Sequence, residues 1–162
     1  MDKNKTNAMR ILDKAGVRYN TYSYDHSDGQ IDGVSVANKI GQPLGKVYKT
    51  LVAQGASREY YVFVIPVAEE LDLKAAARTV GEKSVEMIKV ADINKVTGYI
   101  RGGCSPIGMK KDYKTVLDSS STGLDTIIVS AGKLGHQIEL SPAALEGLIH
   151  CRFEKISIRH DA

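Results

Sequence analysis

The chain has 162 residues, 43% of them hydrophobic and 25% charged, and carries a net charge of +3 at neutral pH. This length and composition fit one globular domain with room for a genuine core. They exclude a bilayer span, because no run approaches the roughly 20 apolar residues required, and a broad non-specific DNA-binding surface, which needs a larger basic excess. Two cysteines, Cys104 and Cys151, are too few for a disulfide framework. The N-terminal MDKNKTNAMRIL is charged and polar and has no signal-peptide apolar region. The expectation is a cytoplasmic protein with free thiols, not held by a membrane. No repeat, low-complexity tract or linker divides the chain, so residues 1–162 read as one domain.

In chain order, Thr6 to Ala15 sets Met9, Leu12 and the flanking Ala8 and Ala15 on one helical stripe, and Gly16 stops it. Tyr19 to Tyr24 alternates as a strand does, and Ser35 to Ile40 reads as a short helix ended by Gly41 and Pro43. VYKTLVAQ from Val47 and the run Tyr60 to Val67 are strands joined through Gly55-Ala56-Ser57, a hairpin signal. Leu73 to Val80 is helical, Val85 to Lys89 extended, and Asp92 a helix N-cap. Tyr99 to Pro106, with Gly102 and Gly103, reads as a tight backbone loop. Thr126 to Ser130 and His136 to Leu140 are strands around a Gly132 to Gly135 turn. Ser141-Pro142 opens a helix, and Phe153 to Ile158 forms a last strand. Short strands with mixed hairpin and helical connections predict an α/β or α+β domain with a mixed, curled sheet.

Within VYKTLV, alternation puts Lys49 on the face of Val47 and Leu51, and Tyr48, Thr50 and Val52 on the other. Desolvating an ammonium costs several kcal/mol, roughly, even after relaxation. Either the long stem lets the charge reach water, or Lys49 lines a cleft that binds an anion.

Other motifs fail on spacing. GQPLGKV at Gly41 to Val47 is one residue short of a phosphate-binding P-loop, lacks Ser or Thr after Lys46, and follows a helix. His26, His136, His150 and His160 show no paired metal spacing, no dinucleotide fingerprint is present, and no GxSxG elbow occurs. The expectation is no metal and no cofactor. Two glycine-bearing segments remain. GGCSP, Gly102 to Pro106, is either a proline-stiffened turn or a loop whose backbone amides face a carbonyl oxygen gaining negative charge. Ser130-Ala131-Gly132-Lys133-Leu134-Gly135 is either a hairpin turn or a hydroxyl and small residues at a strand end beside a pocket.

Taken in order, VYKTLV, PVAEELDLKAAA, TGYIRGGCSPIGMKK and IIVSAGKLGHQIEL resemble the YbaK/EbsC branch of the prolyl-tRNA-synthetase-associated editing domains, over about Lys5 to Ile158. The resemblance implies a barrel-like mixed sheet surrounded by helices. It implies hydrolysis of mischarged aminoacyl-tRNA, in this branch Cys-tRNA(Pro), by a free-standing enzyme without metal. The implied partners are the tRNA(Pro) acceptor end and, transiently, prolyl-tRNA synthetase. Lys49 matches the family lysine associated with the terminal adenosine and its phosphate, and Thr50 follows it. The family's GxxxP loop falls on Gly102, Gly103, Cys104, Ser105 and Pro106, with backbone amides on the substrate carbonyl. Ser130 and Gly132 match the small-residue strand end beside the aminoacyl pocket, and Tyr24 matches a pocket tyrosine. Gln137, also placed at the substrate, stands where some relatives carry aspartate. Ser27 to Gly33 matches poorly, so the resemblance carries no dependable pocket role for Ile31.

With no triad or evident protein base, the enzyme would supply orientation and electrostatics. In this branch the substrate cysteine's own thiol attacks the carbonyl. Cys104 is the competing nucleophile, although relatives carry aliphatic residues there. A tRNA acceptor-end binding module without chemistry, and a hydrolase of another small aminoacyl ester such as Ala-tRNA(Pro), are the alternatives.

Overall fold

The computed structural model describes residues 5–159; His160 and the first residues of the N-terminal segment lie outside them. In chain order the elements are α1 (Asn7–Lys14), β1 (Asn20–Ser23), α2 (Gly33–Lys39), β2 (Tyr48–Gly55), β3 (Tyr60–Pro66), β4 (Glu69–Leu71), α3 (Leu73–Val80), β5 (Val85–Met87), α4 (Ile93–Thr97), β6 (Lys114–Asp118), β7 (Ile127–Ser130), β8 (His136–Leu140), α5 (Pro142–Leu148), β9 (Cys151–Glu154) and β10 (Ser157–Arg159). Short 3-10 turns cover Val90–Asp92 and Ser119–Gly123.

The main sheet has the order β5-β2-β3-β6-β9. The pairs β5–β2 and β2–β3 are antiparallel, while β3–β6 and β6–β9 are parallel. A three-stranded antiparallel sheet, β1-β8-β7, joins it through a parallel bridge between Val47 and Ile128. The pair β10–β4 forms a third, small sheet. The expected mixed sheet with flanking helices is present; the described strands curl around the core in these three sheets without closing into a barrel.

Side-chain caps make these boundaries, and of them Ser141 is the one expected from the sequence. Thr6, Asp32, Asp72 and Ser141 each accept a hydrogen bond from a backbone N–H in the first turn of the helix they precede, replacing a partner the helix cannot supply. Asp92, expected to do the same for α4, makes no side-chain cap bond, because a 3-10 turn feeds directly into the helix. Alternation in β2 and β3 fills two cores at once. Tyr48, Val62 and Val64 pack with Leu12, Ile107, Leu117, Ile138 and Leu145, and Phe63 and Ile65 pack with Ala76, Ala77 and Val116 from the opposite face.

Two further strands differ from what the sequence suggests. Phe153 to Ile158 is not one strand. The buried Asp118 carboxylate accepts the N–H groups of Ile156 at 2.9 Å and Ser157 at 3.1 Å, which breaks the chain into β9 and β10 in different sheets. Lys114 to Asp118, not anticipated as a strand, is the interior strand β6, held by parallel neighbours on both sides.

Candidate functional site

A cleft of about 410 Å³ opens where the start of β2 meets the end of β7, a volume within the usual range for small-ligand sites. β2 contributes Lys49 and Thr50, and the paired positions Ser130 and Gln137 of β7 and β8 come from the other sheet. Gly102 and Cys104 enter from the glycine loop, Ile31 to Gly33 from the start of α2, and Met87, Ile88, Val90 and Ile93 from the approach to α4. Five of the residues singled out from sequence, Lys49, Thr50, Gly102, Ser130 and Gln137, therefore line one cavity. A larger, shallower groove between α3 and β9, lined by Arg78, Lys114, His150 and Arg152, contains none of them.

Lys49 sits half-buried opposite Ile65 and shares a face with Leu51, so its stem rests on apolar surface while its head lines the cleft. Burial lowers its ammonium below the ordinary amine range, and the Glu70 carboxylate opposes this only in part. No ion pair to Lys49 exists among the described residues. Beside it, the Thr50 hydroxyl is buried and has no hydrogen-bond partner among the described residues. An unmade hydrogen bond of this kind costs about 1–3 kcal/mol, so a cleft that keeps one has a reason to.

The described lining holds one carboxylate, Asp32, and it is already committed. Its two oxygens accept from the Ser35 N–H at 3.1 Å and the Ser35 hydroxyl at 2.6 Å, which cap α2 and hold the carboxyl below its ordinary range. Burial pushes the Cys104 thiol up to about 11, with a hydrogen bond to Thr97 opposing only in part. A thiol kept protonated at neutral pH is a poor nucleophile. Among the described residues, no three His, Cys, Asp or Glu side chains gather as a metal-binding group.

The glycine loops are shaped by packing. Gly102 has φ +83°, and a Cβ there would lie 2.8 Å from Ile31 Cδ1 and 2.9 Å from Leu134 Cδ2, so the backbone is gripped from both sides. Gly132, at φ +95°, leaves room for the Tyr99 ring, which a Cβ would approach to 2.9 Å. The Tyr99 hydroxyl donates to Ile107 O, so one tyrosine ties the two loops together. Within the first loop the amides divide. The Gly103 N–H donates to Ile100 O at 3.0 Å, and the Ile107 N–H to Ser105 Oγ at 3.2 Å. The amides of Gly102 and Cys104, the two loop residues that line the cleft, make no such bond among the described residues.

The other expected site residues lie behind the lining. Gly103, Ser105 and Pro106 are buried under the loop, and the Gly132 N–H donates to Ser130 Oγ at 3.2 Å, which orients that hydroxyl. Tyr24 is buried below α2, its ring 5.9 Å from Lys39 Nζ, and does not line the cleft. Sequence reasoning missed the aliphatic rim Met87–Ile93, the wall at Ile31, and Arg101. Only Arg101 carried a readable signal, as a cation adjoining GGCSP.

Comparison with known proteins sets this geometry in a lineage. Residues 32–148 match the family model described as the aminoacyl-tRNA editing domain. The chain belongs to that family. A relative from Enterococcus faecalis, named as a candidate Cys-tRNA(Pro)/Cys-tRNA(Cys) deacylase EbsC, is 45% identical over 155 residues, covering 96% of this chain and 94% of that protein. Among solved structures, a candidate trans-editing enzyme for prolyl-tRNA synthetase aligns with a TM-score of 0.79 at 21% identity, over 94% of this chain and 98% of that one. A protein described as hypothetical aligns at 0.83 with 18% identity, over 92% and 97%. At those identities the structures share the editing-domain fold.

Proposed function

We propose that this editing domain is a trans-acting deacylase that hydrolyses Cys-tRNA(Pro) at the acceptor end and meets prolyl-tRNA synthetase only transiently. The observation that carries the reading is the content of the cleft. It offers a half-buried ammonium and glycine-loop amides, yet its one described carboxylate is spent on a helix cap and its one thiol is held protonated. Such a site can bind an anion and polarise a carbonyl, and neither its carboxylate nor its thiol is free to attack. The relative named for cysteinyl-tRNA supports a substrate that brings a nucleophile with it.

In this reading Lys49 holds the phosphate of the terminal nucleotide, and the ester carbonyl turns toward the amides of Gly102 and Cys104. Charge-assisted donors of this kind act most strongly where water is excluded. The Thr50 hydroxyl takes up the hydrogen bond it lacks from the terminal ribose. Ser130 and Gln137 flank the amino acid. The substrate thiol gives its proton to water, and its sulfur attacks the carbonyl carbon. A C–S bond forms, the ester C–O bond breaks, and the departing ribose oxygen takes a proton from water. Water then opens the cyclic thioester to free cysteine.

Incubation of the purified chain with Cys-, Ala- and Pro-tRNA(Pro), and with Cys-tRNA(Cys), tests the proposal. Fast loss of the cysteinyl esters with Ala- and Pro-tRNA(Pro) spared is the expected result. Equal loss of all esters makes the chain a general small-acyl hydrolase. Tight tRNA binding without turnover makes it a binding module.

A further inference from the structure

Lys39, in the last turn of α2, spends all three of its ammonium hydrogens on one loop. Its Nζ donates to Asp25 O at 2.6 Å, Asp28 Oδ1 at 2.8 Å and Gln30 O at 3.1 Å, and it stands 5.9 Å from the centre of the Tyr24 ring. Asp25 to Gln30 are exposed; their own turns shape the loop and the His26 ring lies against Gly135, and this lysine supplies the side-chain tie between the loop and α2. The loop ends at Ile31, whose N–H turns back to Gly29 O at 3.1 Å and whose side chain presses on Gly102 at the cleft.

We propose that Lys39 is a positioning residue for specificity. By pinning the 25–30 loop, it holds Ile31 against Gly102 and so fixes the width of the cleft at its acyl end and the placement of the loop amides. The inference rests on the aminoacyl-ester reading above and adds to it a reason why a larger, cyclic acyl group such as proline is refused. Close-packed walls transmit a lost support directly. Releasing the loop lets Ile31 withdraw, which both loosens the Gly102 amide and admits a wider acyl group.

The test compares wild type, Lys39→Met, Lys39→Arg and Ile31→Ala for kcat and KM on Cys-tRNA(Pro) and Pro-tRNA(Pro), with thermal midpoints and amide hydrogen exchange measured alongside. Lys39→Met is expected to lower the cysteinyl-to-prolyl ratio of kcat/KM about tenfold, the scale on which apolar pockets discriminate size. The loss should fall mainly on kcat for the cysteinyl ester, with a gain for the prolyl ester. Lys39→Arg, which keeps charge and donors, should restore much of the ratio. Ile31→Ala should lose selectivity while the amides of Gly29 to Ile31 keep wild-type exchange, whereas in Lys39→Met those amides exchange faster. A wild-type ratio in a folded Lys39→Met, or unchanged exchange in that loop, overturns the inference. If wild type hydrolyses no ester, the deacylase reading fails by itself, and the exchange rates alone decide whether Lys39 holds the loop.

Discussion

Lys46 and Lys49 stand three residues apart around the start of β2, and the fold treats them oppositely. Lys46 pairs at 2.6 Å with Glu139, a carboxylate whose side chain is 7% exposed. The Tyr22 hydroxyl donates to the same carboxylate at 2.6 Å, and the Thr126 hydroxyl completes the set. Burial opposes ionisation of Glu139, but these donors outweigh it and bring the carboxyl down to about 2. Lys49, beside a hydroxyl with no partner among the described residues, faces a cavity. The first arrangement is closed and holds β1, β7 and β8 together. The second leaves its bonding capacity for something that arrives. Within one short segment, satisfied and unsatisfied polar groups set a lysine committed to the fold apart from the one proposed to meet the substrate.

The sharpest way to break this contrast is to remove each lysine in turn. Lys49→Ala should lower kcat/KM for the cysteinyl ester by about 100-fold or more, as expected for a charge acting on a bound anion, with the unfolding midpoint nearly unchanged. Lys46→Met should cost roughly 2–3 kcal/mol of stability, discounted for the 30% exposure of the Lys46 side chain, while folded molecules keep their turnover. Urea melts and steady-state rates on both variants separate the two outcomes. Reversed effects would dissolve the distinction.

A pH series sharpens the structural half. Glu139 has a folded value near 2 against an ordinary 4.5, so folding favours its charged form. The stability it adds is complete above about pH 4.5 and is lost as the pH falls toward 2. Chemical denaturation from pH 6 down to pH 2.5 should show wild type losing more than Glu139→Gln, by on the order of 2–3 kcal/mol. Parallel curves would mean the network does not hold the charge.

These two lysines also show what could be read from the chain alone. Lys49 was visible because an ammonium inside a β-branched run breaks its pattern, and Gly102 because paired glycines mark unusual backbone. The hairpin of β2 and β3 and the cap Ser141 were legible because their signals are local. The strand β6 was not, since Lys114 to Asp118 is a strand by virtue of parallel neighbours distant in sequence. Nor could the sequence say that Gly103 spends its amide on Ile100 while Gly102 keeps its own, or that Ile31 meets Gly102, because both depend on how separate loops pack. Glu139 looked like an ordinary strand residue until Lys46, Tyr22 and Thr126 were brought to it.

Smaller effects probe the functional half. Thr50→Val removes a buried hydroxyl that has no partner among the described residues, so the thermal midpoint should hold or rise slightly. Turnover of the cysteinyl ester should nevertheless fall about tenfold, the worth of roughly one hydrogen bond to substrate. An unchanged rate would remove Thr50 from the site. Cys104→Ala should change least, keeping most activity, because its thiol is held protonated with a value near 11 and the proposed reaction uses the substrate's sulfur. Loss of all turnover in that variant would make Cys104 the nucleophile.

The central claim is that this cleft supplies charge and position while the substrate supplies the attacking atom. Single-turnover hydrolysis of Cys-tRNA(Pro) beside the same tRNA carrying S-methylcysteine tests it most directly. Rapid loss of the cysteinyl ester, with the S-methyl ester bound but stable, is the predicted result. Comparable rates for the two esters would contradict it and require a nucleophile from the protein or from water.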